Sequence, residues 1–188
     1  MIHTKEELKF YKEKDRIALW QKRDKPRFVW SGSIAQLIWK YERKLRNYEY
    51  HLNNKHKIRS MIYKYACNSL GLKLGFDIAP NTFGPGLDIV HIGYIVVSPK
   101  SKIGKNCMIY QGVTIGEEKS HAPVIGDNVC ILPGAKIFGN IHVGNNVMIG
   151  ANSVVNKDVP DNTRVGGAPA HILNYNGNEY VGHFDIIN

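Results

Sequence analysis

The stretch that decides the fold is residues 125–155, which read IGDNVC ILPGAK IFGNIH VGNNVM IGANSV V in groups of six. An aliphatic residue heads every group, and three earlier groups follow the same rule. The nine heads are Ile103, Ile109, Ile115, Ile125, Ile131, Ile137, Val143, Ile149 and Val155. An α-helix repeats every 3.6 residues and a β-strand every two, so neither has a period of six. A coil with three short flat faces does have this period, which predicts a β-solenoid.

The residue types within each group fit such a coil. The fifth residue of most groups is small or apolar, so we expect it to point inward together with the head. These residues are Cys107, Val113, Val129, Ala135, Ile141, Val147, Ser153 and Val159. Glycine or asparagine fills the corners, where a positive φ is needed. Eighteen residues then complete one turn, and successive turns pair as parallel strands.

The repeat has one interruption and a clear end. Ten residues instead of six separate Ile115 from Ile125, which predicts a corner loop over Glu117–Val124. Insertions in solenoids often serve the binding face. We place the β-helix domain at residues 76–173 and a C-terminal tail at residues 174–188, and we expect this tail to shield the open end of the solenoid.

Residues 1–75 have a different character. Apolar residues recur at helical spacing over residues 4–21, 34–52 and 56–70, which predicts three helices. This segment carries 18 Lys and Arg against 7 Asp and Glu, whereas residues 76–188 carry 7 against 9. A basic surface can attract nucleic acid or an anionic membrane. No nucleic-acid motif accompanies these charges, so we expect solvated helix faces and no nucleic-acid partner.

The composition also limits the class of protein. No run of eighteen apolar residues is present, so we expect no transmembrane helix. The N-terminus lacks the pattern of a secretory signal. The three cysteines, Cys67, Cys107 and Cys130, are an odd number and form no CxxC pair. We therefore expect a cytoplasmic protein with neither a disulfide framework nor a cysteine zinc site.

Several motifs resemble a known superfamily. The hexads, the corner loop and the closing VGGAPA at 165–170 resemble the hexapeptide-repeat acyltransferases, whose fold is a left-handed β-helix. FDIAP at 76–80, FGPG at 83–86 and HIGYIVV at 91–97 look like the entry into the helix in the serine O-acetyltransferase branch. The short helical segment looks like that of the capsule and lipopolysaccharide O-acetyltransferases. The resemblance implies a homotrimer with active sites between neighbouring subunits, acetyl-CoA as co-substrate and no metal.

Acetyl transfer from a thioester to a hydroxyl needs a base that removes the hydroxyl proton. Histidine suits this task because its ordinary pKa is about 6.5. His91 is the strongest candidate among the eight histidines, since it occupies a head position where an aliphatic residue is expected. The resemblance places the catalytic histidine at His91 and its acidic partner at Asp77, which would orient the ring. No histidine pair at a fixed short spacing suggests a metal site.

The coenzyme site is expected to consist mostly of backbone. The pantetheine arm of coenzyme A is a chain of amides, and a solenoid edge offers N–H and C=O groups that can pair with it. Small residues permit this approach, and the candidates are Gly116, Gly134, Ala135 and Ala151. The resemblance to the wider sugar acetyltransferases adds Pro133, Asn156 and Lys157, and Lys157 is suited to meet a phosphate as a point charge.

The predicted acceptor is a sugar hydroxyl of a surface polysaccharide or its precursor. Serine acetyltransferases carry an aspartate just before the catalytic histidine, where this chain has Val90. A sugar needs neutral hydrogen-bonding groups and aromatic faces, which Tyr94 and Tyr110 offer, and His121 in the corner loop is a further candidate contact. Two alternatives stay open: a serine O-acetyltransferase of cysteine biosynthesis, and a non-catalytic β-helix scaffold.

Overall fold

The computed structural model describes residues 1–20 and 33–177, and three helices precede the strands there. The helices are α1 (Lys5–Trp20), α2 (Ile34–Asn53) and α3 (Lys57–Leu74). The strands are β1 (Phe76–Ile78), β2 (Asp88–Ile89), β3 (Ile95–Val97), β4 (Lys102–Ile103), β5 (Met108–Ile109), β6 (Thr114–Gly116), β7 (Val124–Ile125), β8 (Cys130–Ile131), β9 (Lys136–Phe138), β10 (His142–Val143), β11 (Met148–Ile149), β12 (Val154–Val155), β13 (Arg164–Gly166) and β14 (His171–Asn174). Position 21 of the first predicted helix lies outside the described residues.

The strands form three sheets that are the three sides of one coil. The five-stranded sheet has the order β1-β3-β6-β9-β12, the three-stranded sheet β10-β7-β4, and the six-stranded sheet β14-β13-β11-β8-β5-β2. The chain visits the five-, three- and six-stranded sheets in turn. Every pair of strands is parallel except β13 with β14. The predicted fold class, a β-solenoid with an N-terminal helical segment, is confirmed.

The heads of the groups form the core of the coil. Ile109, Ile131 and Ile149, one above another on the six-stranded sheet, are fully buried. The inward position predicted for Val159 is confirmed, but its register is not. Val159 pairs with Val143, so it is the head of a side rather than a fifth residue. Only four residues separate it from Val155, because the chain lacks two residues at that corner.

Asparagines build one corner of the coil. Asn106, Asn128, Asn146 and Asn162 all have φ between 56° and 58°. The Nδ2 of each donates to the Oδ1 of the next, with distances of 2.9, 3.1 and 2.9 Å. Asparagine suits this corner because it tolerates the left-handed conformation and its amide can both donate and accept.

The helices cover one side and one end of the coil. Ile17 of α1 packs on Met108 and Cys130, whose side chains point outward from the six-stranded sheet. The ring of Tyr41 in α2 meets Phe76 of β1 edge-on, with 5.0 Å between centroids. Helices and coil thus share one apolar core. The division of the chain at residue 75 stays a prediction.

Two further expectations concern the ends and the thiols. Residues 178–188 of the predicted tail lie outside the described residues. The part that is described returns to the last coil, where the Gly177 carbonyl accepts a hydrogen bond of 2.8 Å from Arg164.

All three cysteines are buried and free. Across residues 1–20 and 33–177, no helix has the length and apolarity that a membrane span requires.

Candidate active site

His91 lies at the corner where the chain passes from the six-stranded to the five-stranded sheet. It follows β2, and its side chain is exposed. The imidazole stands 5.9 Å from the Tyr110 ring, measured between centroids, and the two rings are tilted by 59°. The turn is tight: Gly93 has φ 139°, and a Cβ there would lie 2.8 Å from Cβ of Gln111. The corner thus presents the imidazole to solvent on a constrained backbone.

Asp77 lies in the middle of β1 with an exposed side chain. It is opposite Val96 of β3, so its carboxylate stands on the outer surface of the five-stranded sheet. No hydrogen bond or ion pair joins Asp77 to His91, although both lie in the first part of the coil that the structure describes. Their role as a catalytic pair stays a prediction.

His121 lies at the opposite edge of the five-stranded sheet. The insertion forms a hairpin in which Glu118 and His121 exchange backbone hydrogen bonds of 2.8 and 2.9 Å around Lys119 and Ser120. The Nδ1 of His121 is 3.0 Å from the Lys119 carbonyl and donates to it. One strand of about three to six residues separates this corner from that of His91, and each residue of a strand adds about 3.3 Å to the distance. A single chain therefore keeps His91 and His121 apart.

The predicted coenzyme residues divide between the same two corners. Pro133, Gly134 and Ala151 lie below His91, between the six- and five-stranded sheets. Gly116 is the last residue of β6, at the other edge of the five-stranded sheet, and Asn156 and Lys157 follow β12 at that same edge. Ala135 is fully buried, so its side chain points into the core rather than towards a ligand. Tyr94, next to the His91 corner, is 83% exposed, whereas Tyr110 is only partly exposed.

Two residues of this region escaped the sequence analysis. The Oε1 of Gln111 is buried and has no hydrogen-bond partner in the described chain. Lys136 stands on the outer surface of the five-stranded sheet, where its Nζ donates to the Gly112 carbonyl at 2.6 Å and to Thr114 Oγ1 at 3.1 Å. For Gln111 the sequence did offer a signal, because this residue lies eighteen residues, or one turn of the coil, after Gly93.

The hairpin is tied to the coil by an ion pair. Lys100 Nζ lies 2.8 Å from Glu117 Oε2 and 3.4 Å from the Ser120 carbonyl. The hydrogen bond from Lys100 lowers the pKa of the Glu117 carboxyl, so this carboxylate stays ionised at neutral pH. The loop that carries His121 therefore has a fixed attachment to the preceding coil.

A buried cluster of charges joins the helices to the strand that precedes His91. Arg46 of α2 is fully buried. It donates to Asp15 of α1 at 2.7 Å, to Glu49 at 3.0 Å, and to the carbonyls of Phe83 and Gly84 at 3.0 and 2.7 Å. Burial alone would lower the pKa of Arg46, but the Asp15 and Glu49 carboxylates outweigh it and raise the pKa.

The acidic side chains of this cluster also accept hydrogen bonds from the backbone of the first coil. Asp15 Oδ1 accepts the backbone N–H groups of Gly86 and Leu87, both at 2.9 Å. Glu42, fully buried on α2, accepts from Ile89 N at 3.4 Å. Side chains of the helices thus satisfy backbone groups that the first coil cannot pair itself, and they fix the strand two residues before His91.

No set of three His, Cys, Asp or Glu side chains converges as a metal site within residues 1–20 and 33–177.

The hexapeptide model of bacterial transferases, described as six repeats, matches residues 122–157. Residues 122–157 of this chain are therefore similar to the hexapeptide-repeat bacterial transferases. Serine acetyltransferase of Staphylococcus epidermidis is 45% identical over 116 residues, which cover 59% of this chain and 54% of that protein. The chain thus spans about half the length of the curated relatives it matches.

Solved structures extend the likeness to the helices. A serine acetyltransferase in complex with CoA has a TM-score of 0.69 and 29% identity, covering 90% of this chain and 71% of that one. The serine acetyltransferase of Neisseria gonorrhoeae in complex with serine has a TM-score of 0.70 and 28% identity, covering 90% and 70%. The resemblance to the left-handed β-helix and to the serine O-acetyltransferase branch is confirmed.

The predicted sugar acceptor is wrong. The matched relatives and structural neighbours are serine acetyltransferases, so they support neither a polysaccharide acceptor nor a place in polysaccharide biosynthesis. The prediction gave too much weight to single departures such as Val90. One missing carboxylate weakens one contact, whereas the 45% identity extends over 116 residues.

Proposed function

We propose that the protein transfers the acetyl group of acetyl-CoA to the hydroxyl of L-serine. The observation that carries this proposal is the 45% identity to serine acetyltransferase over 116 residues. Two structural neighbours, one in complex with CoA and one with serine, support the same pair of ligands. Val90 offers no carboxylate to the serine ammonium group, so we expect weak serine binding, with a KM at or above about 1 mM.

In the proposed reaction His91 is the general base. Its imidazole takes the proton of the serine hydroxyl while the oxygen attacks the thioester carbonyl. The tetrahedral intermediate then collapses, the C–S bond breaks, and the coenzyme A thiolate recovers the proton from the imidazolium. The exposed position of the ring and its constrained corner suit this role. Asp77 serves as the anion that stabilises the imidazolium.

The proposed site lies between two subunits of a homotrimer. His91, Pro133 and Ala151 occupy one edge of the five-stranded sheet, and Asn156 and Lys157 occupy the other. A ligand that contacts both groups therefore needs the corresponding edge of a second chain. Light scattering should give about 64 kDa, three times the chain mass of 21.3 kDa, and a stable mass near 21 kDa would contradict the trimer.

The activity test follows thiol release from acetyl-CoA with serine and identifies O-acetylserine by mass spectrometry. His91→Ala should lower turnover by about 10²- to 10⁴-fold, as expected for loss of a general base. Its CoA affinity should change little, because the coenzyme contacts are proposed on other coils. His142→Ala, another exposed histidine, is the matched control. Absence of thiol release with serine by a CoA-binding wild type would refute the proposed acceptor.

The shared site has its own test. His91→Ala and Lys157→Ala chains, each impaired alone, are mixed, unfolded and refolded together. A mixed trimer contains sites in which both edges are intact, so activity should return. Recovery no greater than the sum of the separate variants would place each site within one chain.

A further inference from the structure

The outer face of α3 carries apolar side chains that the described part of the protein leaves in solvent. We call this set the α3 stripe: Ile58, Met61, Ile62, Tyr65 and Leu72, which are 58% to 86% exposed. At 3.6 residues per turn, these positions fall within one arc of about 100°. The opposite arc is the one that packs on the protein, through Cys67, Gly71 and Leu74. An exposed apolar surface of this kind marks an interaction site.

Basic residues border the α3 stripe on both sides. Lys57 and Lys64 follow one edge of the arc, and Arg59 and Lys73 follow the other, all exposed. The helix contains no acidic residue. Long basic side chains can lay their methylene stems along apolar surface while their charged ends reach outward. The face therefore combines an apolar centre with two cationic margins.

We propose that the α3 stripe binds the surface of an anionic lipid bilayer. Apolar residues on one arc with flanking Lys and Arg form the pattern of a helix that lies in the membrane interface. The apolar side chains enter the boundary of the acyl chains, and the basic groups reach the phosphates of the headgroups. Residues 1–75 carry an excess of eleven positive charges, which is the sign that an anionic bilayer attracts.

Charge disfavours a second copy of the chain that meets the stripe with its own stripe. Two such copies would bring their basic margins together, and like charges at close range repel. An anionic surface pairs with every one of these cations at once. The proposal is independent of the acetyl-transfer reaction, because no residue of the candidate active site belongs to the stripe.

The test measures co-sedimentation of the full chain with vesicles. We expect binding to vesicles that contain phosphatidylglycerol and almost none to phosphatidylcholine alone. Raising the ionic strength from about 0.1 to about 1 M, which shortens the Debye length from about 10 to about 3 Å, should weaken the binding strongly. Salt-insensitive binding, equal binding to both vesicles, or no binding to either would overturn the proposal.

Variants assign the binding to α3. The triple change Lys57→Gln, Lys64→Gln and Lys73→Gln should lower partitioning by about 100-fold, since each basic group contributes about fivefold. The matched control removes three exposed charges elsewhere: Lys5→Gln, Lys9→Gln and Lys40→Gln. This control should keep most of the binding. An equal loss in both triples would show that net charge alone is responsible, which would overturn the proposal.

The apolar part is tested with Met61→Gln combined with Ile62→Gln. Both side chains are exposed, so the fold should survive, which circular dichroism checks. Binding to anionic vesicles should fall by about tenfold or more, because two apolar side chains no longer enter the bilayer. A variant that instead changes the mass by light scattering and keeps its vesicle binding would identify the stripe as a subunit interface and refute the proposal.

Discussion

Replacing Glu42 by glutamine is expected to stabilise the fold, and to do so more strongly as the pH rises. Glu42 is fully buried, Oε1 accepts the Ile89 N–H, and Oε2 has no hydrogen-bond partner in the described chain. Burial, together with the nearby carboxylates of Asp15 and Asp88, raises the pKa of Glu42 well above its ordinary 4.5 despite the opposing charge of Arg46. The folded protein therefore keeps a proton that the unfolded chain releases.

The size of the effect follows from proton linkage. Between the unfolded and the folded pKa of Glu42, folding takes up one proton, so the free energy of unfolding falls by about 1.36 kcal/mol per pH unit. Glutamine has nearly the same shape and never ionises, so the free energy of unfolding of Glu42→Gln does not fall with pH for this reason. Above about pH 5.5 the advantage of Glu42→Gln should grow by about 1.4 kcal/mol for each pH unit, until the pH reaches the pKa of the folded carboxyl. The pH at which the growth stops reports the pKa of the folded carboxyl.

The assay is urea unfolding of both proteins at a series of pH values, followed by circular dichroism. Glu6→Gln, an exposed change in the first turn of α1, is the control and should give a curve parallel to the wild type. Titrating groups that do not interact with Glu42 are the same in both proteins, so they cancel in the difference. Parallel curves for the wild type and Glu42→Gln would show that Glu42 is ionised in the fold and would refute the reasoning. Lower stability of Glu42→Gln at every pH would contradict the expected stabilisation.

Three further predictions concern the coil and the cysteines. Asn128→Ala removes two hydrogen bonds of the asparagine corner and strains a residue at φ 58°, so unfolding in urea should show a loss of about 2–4 kcal/mol, and Asn128→Gly should lose less because glycine avoids the strain. Gly86→Ala, at φ 85°, should lower the melting temperature, since the new Cβ would overlap the side chain of the next coil; an unchanged value would contradict that geometry. A thiol reagent should modify less than one cysteine per native chain within minutes and three in denaturant, because Cys107 and Cys130 are buried and burial raises the pKa of Cys67 to about 11.

The coil was predictable from sequence because its period is a direct physical consequence of its shape. Each side needs an inward aliphatic head, and Ile109, Ile131 and Ile149 satisfy this need once per turn. Val159 was assigned to the wrong register because an aliphatic fifth residue and an aliphatic head look alike in one dimension. Only the pairing of Val159 with Val143 separates the two possibilities.

The attachment of the helices was beyond sequence reasoning. Arg46 pairs with Asp15, which is thirty-one residues away in the chain. It also donates to two carbonyls that come after α3 in the sequence. No periodic pattern predicts such contacts. His91 could be singled out as a candidate because a polar ring in an aliphatic register is conspicuous, and its catalytic role stays a prediction. Its proposed partners could not be placed, because in the proposed site the second edge comes from another chain, which one sequence does not reveal.

The asparagine corner tolerates changes of length elsewhere in the coil. Successive members of the corner are 22, 18 and 16 residues apart, yet their hydrogen bonds stay between 2.9 and 3.1 Å. The additional and the missing residues both fall between the five-stranded and three-stranded sheets, at the hairpin and after Val155. That corner is therefore a natural graft point: a foreign peptide inserted between Lys119 and Ser120 should be displayed at the surface while every strand keeps its register.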